Sequence, residues 1–143
     1  MGYYMDQMES DFKIKKENFS AALVAIKALA EQLEEKASGG SFGPNRIERW
    51  FSWVVTSEFV DAKTLVDAIK AWRWQAQLNS DGDISALYFE GEKLGDDEVL
   101  FDALAPFVED GSYIQMRGEE DAMWRWVFKD GVMLESYPTI SWD

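Results

Sequence analysis

Two runs of alternating aromatic and polar residues, each closing on an Asp-Gly turn, constrain the fold of this chain more than any other feature. Trp72-Arg73-Trp74-Gln75-Ala76-Gln77-Leu78 leads to Asp81-Gly82, and Met123-Trp124-Arg125-Trp126-Val127-Phe128 leads to Asp130-Gly131. In a strand, residues two apart share a face, and Asp-Gly accommodates the positive φ of a tight hairpin. Trp72 with Trp74, and Trp124 with Trp126, are therefore expected on one strongly aromatic sheet face. Arg73 and Arg125 are expected on the other, each paired with a carboxylate. The two runs echo one another, but Ser112 to Arg117 reads as an extra strand ahead of the second, so we treat the echo as shared β-patterning rather than duplication.

The rest of the chain fits around these strands. Asp11 to Lys15 alternates as a short strand with Phe12 and Ile14 on one side. Phe19, Leu23, Ile26, Ala30 and Leu33 recur at helical spacing over about 17–37, and Gly39-Gly40 reads as the stop. Pro44 suits the first turn of a second helix, with Ile47, Trp50, Phe51 and Val54 as its stripe; Trp53 falls off that stripe and is hard to bury. Asp61 is the expected N-cap of a short third helix ending near Trp72. Ile84 to Glu90 completes the first hairpin. Gly95-Asp96-Asp97-Glu98 opens a helix whose acids complement its dipole and whose end Pro106 shortens or kinks. Three antiparallel strands close the chain, with a loop at Gly118-Glu119-Glu120-Asp121 between the first two. The expected architecture is one α+β two-layer domain over residues 1–143, an antiparallel sheet of about five or six strands with helices packed on one face.

Composition narrows the chemistry. The 143 residues include no His and no Cys, so zinc and iron–sulfur sites and imidazole-activated nucleophiles are excluded, along with disulfides. There is no Walker-type loop and no dinucleotide fingerprint, so no cofactor, no metal and no catalytic residue is expected. Gln77 to Ile84 resembles part of an EF-hand loop through Asn79, Asp81 and Gly82, yet the first and twelfth ligand positions hold Gln77 and Tyr88, so a turn is expected. A carboxylate pair of the glycosidase type needs two acids about 5–10 Å apart, a separation the sequence does not give.

Charge is lopsided. Residues 1–71 hold 9 Lys/Arg against 11 Asp/Glu, and residues 72–143 hold 5 against 16, so −11 of the total −13 lies in the second half. Such a field repels phosphate backbones and attracts basic proteins, though acidity also serves solubility alone. No direct nucleic-acid binding is expected. No apolar run reaches the roughly 18–20 residues of a membrane span. The first residues lack a signal-peptide pattern, and Asp6 replaces the Ser or Thr of a myristoylation signal, so a cytoplasmic protein without membrane association is expected.

By class alone, small, acidic, cysteine-free, tryptophan-rich domains include immunity proteins of nuclease toxins and phage anti-defence or DNA-mimic proteins. The leading expectation is a protein-binding inhibitor of a basic partner, either a nucleic-acid-processing enzyme or a toxin. Trp53 would be its apolar anchor, and Glu119, Glu120, Asp121, Glu109, Asp110, Asp81 and Asp83 its charged surface. One alternative is a sugar- or nucleotide-binding domain using the Trp72/Trp74 and Trp124/Trp126 face. Another is a housekeeping subunit whose acidity only maintains solubility. Homo-oligomerisation stays open.

Overall fold

The computed structural model describes residues 2–43, 46–139 and 142. Among the described residues, nine strands and five α-helices follow in the order β1 (Tyr3–Asp11), α1 (Phe19–Ala28), α2 (Leu33–Lys36), β2 (Gly39–Gly43), β3 (Arg46–Trp50), α3 (Thr56–Val60), α4 (Leu65–Ala71), β4 (Trp74–Leu78), β5 (Ile84–Phe89), β6 (Lys93–Leu94), α5 (Asp97–Leu104), β7 (Tyr113–Gly118), β8 (Met123–Lys129) and β9 (Val132–Ser136). The main sheet is antiparallel and five-stranded, in the order β6-β1-β7-β8-β9. This is the expected α+β class. Among the described residues no helix is long and apolar enough to cross a membrane.

The sheet's alternation is what the sequence requires. Trp124, Trp126 and Phe128 of β8 face inward with Ile114 and Met116 of β7, while Arg117 and Arg125 face solvent. Phe101 of α5 lies 5.0 Å from the ring of Trp126 and 5.1 Å, edge-on, from that of Trp74. Aromatic pairs in these offset or T-shaped geometries contribute beyond their buried area. Pro106 ends α5 at Leu104 and leaves a single 3-10 turn, Ala105–Phe107, as expected.

Several local expectations need correction. The first strand is Tyr3–Asp11 rather than Asp11 to Lys15, where Ile14 forms isolated bridges to Ile84 and Val108. The segment read as a second helix forms the β2–β3 hairpin, with Gly39 opposite Trp50 and Gly40 opposite Arg49. The spacing of Ile47, Trp50, Phe51 and Val54 is helical, but only Ile47 and Trp50 lie in β3, and the β-branched and aromatic residues of the segment favour a strand by type, which outweighs the period here. Gly39 and Gly40 permit close strand pairing: a Cβ at Gly39 would stand 2.7 Å from the Trp50 ring, and one at Gly40 2.8 Å from Glu48 O. Pro44, expected in a first helical turn, lies outside the described residues. The third helix starts later than expected, as α4, and its cap is Thr64, whose hydroxyl accepts from Asp67 N at 3.1 Å; Asp61, the expected N-cap, instead closes the short α3 ahead of it. Finally, β4–β5 is a separate two-stranded ladder beside β1 and does not join the main sheet.

Trp72 and Trp74 are both buried, but not by strand alternation. Trp72 closes α4, and Arg73 adopts a left-handed φ of 73° before β4 begins. That twist turns Arg73 inward, against the expectation that it would lie on the solvent face.

Candidate functional site

Asp97, read from sequence as a helix-start acid, is only 1% exposed. Its carboxylate accepts from Trp74 Nε1, Arg73 Nη2 and Gly95 N, each at 2.9 Å. Arg73 also donates to Lys93 O at 2.6 Å. The neighbouring Asp96 accepts from Ser38 N and Ser52 N, at 3.0 and 2.8 Å. Together these acids fix the turn after β6, the strand that carries Lys93, and the turn that carries Trp53.

Trp53 is 51% exposed and sits in left-handed backbone at φ 67°. A bulky residue there is strained by about 1–3 kcal/mol, and such strain clusters at sites with a task. Trp50 and Val55 line the same open apolar cleft. The Lys93 ammonium lies 5.7 Å from the Trp53 ring centroid and 5.0 Å from that of Tyr4, itself 54% exposed. Tyr4 is tied in turn to the acidic loop, since its N–H donates to Glu119 Oε2 at 2.9 Å and Tyr3 Oη donates to Glu119 O. Trp53, Lys93, Tyr4 and Glu119 therefore form one connected surface at the start of β1. Glu120 and Asp121 follow with φ of 58° and 62° and hold no ion pair among the described residues.

The other four residues of the expected surface gather elsewhere. Asp83 Oδ1 accepts from Lys16 N at 2.8 Å, Glu109 pairs with Lys15 at 3.6 Å, and Asp110 Oδ1 accepts from Asp130 N at 2.9 Å. Asp81 is exposed in the turn, where Asn79 Oδ1 accepts from both Asp81 N and Asp83 N, the geometry of a hairpin turn. Glu109 and Asp83 meet Lys15 and Lys16, which follow the end of β1 at Asp11, a strand whose run from Tyr4 is about 23 Å at about 3.3 Å per residue. The eight candidates thus form two clusters, and in the far one Asp83, Glu109 and Asp110 hold the chain together.

The tryptophan pairs read as a possible stacking face are enclosed. Trp72, Trp74, Trp124 and Trp126 are 1%, 0%, 7% and 0% exposed, so no stacking platform is available there.

One acidic pair escaped the sequence reading because its members are far apart in the chain. Glu98 of α5 and Glu135 of β9 border a cleft of about 560 Å³ with Tyr3, Trp124 and Tyr137. Glu135 accepts from Trp126 Nε1 at 3.1 Å and from Tyr137 Oη. The Glu98 carboxyl is pushed up to about 7, first by partial burial, then by its hydrogen bond to Glu135 and repulsion from that group, with Asp102 and Asp97 adding.

Compared with models of known families, with curated proteins and with solved structures, the chain finds no match in any of the three.

Proposed function

We propose that the chain is a small acidic protein-binding module that blocks a basic partner, a nucleic-acid-processing enzyme or a toxin, by docking through its Trp53 end. The observation that carries this reading is Trp53, a half-exposed indole kept in strained backbone beside a second exposed ring and a carboxylate loop. Interfaces draw most of their energy from a few such aromatic anchors, and complementary charge speeds encounter. Glu120 and Asp121 supply unpaired charge in the loop that Glu119 ties to Tyr4, and the −13 total supplies the long-range field.

The test is capture of partners from nuclease-treated lysate with the wild-type chain, Trp53→Ala and the double variant Glu120→Gln/Asp121→Asn, each eluted along a salt gradient. The reading expects one identified basic protein on the wild type, released by moderate salt. That protein is expected to be lost on Trp53→Ala and to elute at lower salt from the double variant. Retention of the same protein, unchanged, by both variants would overturn the reading. Glu119 is left intact, because its carboxylate also holds the Tyr4 backbone.

A further inference from the structure

The Lys93 ammonium has an unusual location for a cation in so acidic a chain. Glu92 precedes it in sequence and Glu119 bonds its cross-strand neighbour Tyr4, yet Lys93 makes no ion pair among the described residues. It lies instead over two aromatic rings, at 5.0 Å from that of Tyr4 and 5.7 Å from that of Trp53, each about half exposed. Rings that face an ammonium within about 6 Å attract it through their quadrupoles, and exposed aromatic clamps of this kind are a general way to hold cationic groups.

The surroundings keep the clamp tight on one side and open on the other. A Cβ at Gly2 would stand 2.7 Å from Lys93 Cδ and 3.3 Å from Trp53 Cζ2. One at Gly95 would stand 2.9 Å from Trp53 Cδ1. Trp53 also borders a cleft of about 260 Å³ with Arg73, Gly91, Glu92 and Lys93. Arg73 brings no free charge to that cleft, since Asp97 neutralises it. The lysine itself sits on a flexible four-carbon stem, so it can swing into water at little cost.

We propose that the Tyr4–Trp53 clamp is the docking point for an Arg or Lys side chain of the basic partner, and that Lys93 is an internal cation which the incoming one displaces. This rests on the reading that the Trp53 end is the docking surface. Trp53 and Tyr4 supply the ring faces, and Glu92, Glu120 and Asp121 supply compensating charge nearby. Lys93 keeps the clamp from presenting two bare rings to water and lowers its affinity for cations until a partner with many contacts arrives.

The test uses the full chain carrying 5-fluorotryptophan, with the Trp53 fluorine resonance assigned as the one lost in Trp53→Phe. The probe is acetyl-Gly-Arg-Gly-amide, with the citrulline peptide as its uncharged counterpart. The arginine peptide is expected to shift the Trp53 resonance and the citrulline peptide to leave it in place. Lys93→Ala is expected to tighten arginine-peptide binding about two- to fivefold, the worth of one exposed cation–π contact. Lys63→Ala, which removes an equal charge from an exposed site elsewhere, is expected to leave it unchanged. Tyr4→Leu is expected to weaken it. An unmoved Trp53 resonance, equal shifts from both peptides, or no tightening specific to Lys93→Ala would each overturn the clamp. The two readings fail separately: a partner lost on Trp53→Ala but indifferent to Lys93→Ala would leave the docking surface standing and remove the clamp.

Discussion

The backbone N–H of Phe89 donates to the side-chain oxygen of Gln7 at 2.7 Å, and Gln7 Nε2 donates to Leu87 O at the same distance. The Gln7 amide thus stands in for a peptide group and fastens β5 to β1, where no strand ladder does so. The ladder between β1 and β7 shifts register between Gln7 and Ser10, which accommodates this side chain at the irregularity.

Replacing Gln7 therefore strips a donor and an acceptor at one stroke. Gln7→Leu is expected to cost about 1–3 kcal/mol, the penalty for leaving partly buried peptide groups unsatisfied. Gln7→Glu retains the acceptor for Phe89 N but sets a carboxylate oxygen against Leu87 O. Protonation restores a donor, so this variant is expected to regain stability in acid relative to wild type. Urea midpoints at pH 4 and pH 7 check the sign, and faster amide exchange at Phe89 locates the effect.

Asp97 carries a larger share. Asp97→Ala would leave Arg73, whose side chain is 15% exposed, without its counter-charge, and Trp74 Nε1 without an acceptor. Removing one member of a largely buried ion pair typically costs about 3–5 kcal/mol. A loss of that size is expected in thermal unfolding. Asp97→Asn, which keeps an acceptor but not the charge, is expected to fall between wild type and Asp97→Ala.

Glu98 gives the stability a pH dependence of opposite sign to that of a salt-bridged acid. Its folded-state value of about 7 stands above the ordinary 4.5, so between these values the folded chain holds a proton that the unfolded chain has released. Stability from this group is therefore full below about pH 4.5, declines as pH rises toward 7 and is level above that. Because the residue as a whole is largely exposed, with its carboxyl only partly shielded, screening reduces the effect to about 1 kcal/mol. Glu98→Gln is expected to flatten the decline and to be the more stable protein at pH 8. Urea titrations of both chains between pH 4.5 and pH 8 measure it.

From Trp74 onward the elements other than the two-residue β6 were readable in the sequence, because they combined a clear period with a turn or helix-start signal: Asp81-Gly82, Asp130-Gly131, and the acids ahead of α5. Between Gly39 and Val55 the apolar spacing pointed to a helix, while the residue types favoured strands and the paired glycines allow the close approach of Gly39 to Trp50. Trp53 was singled out because it fitted no stripe, and the structure exposes it. The roles of Gln7, Asp97 and the Glu98–Glu135 pair had no local signal. Each depends on a partner brought near only by the tertiary fold, 82 residues away for Gln7 and Phe89. The expected acidic surface divided for the same reason: loop acids look alike in sequence, whether they cap a neighbouring backbone, as Asp83 and Asp110 do, or stand free, as Asp121 does.

Trp53 offers a test of whether its strained conformation serves binding. Glycine adopts a φ of 67° without steric penalty, so Trp53→Gly removes the strain while discarding the Lys93 contact, worth about 0.5–1 kcal/mol at an exposed site. Glycine also gives the unfolded chain more freedom, which offsets part of the relief. The balance is expected to favour Trp53→Gly over Trp53→Ala by about 1 kcal/mol in unfolding free energy, because alanine keeps a Cβ in the left-handed region. Both variants are expected to lose the basic partner equally, since neither carries the indole. Equal stability of the two would show that the backbone relaxes at this position. Weaker stability of Trp53→Gly would mean that the left-handed turn is imposed by the surrounding loop at no cost to the indole, and the strain would then say nothing about binding.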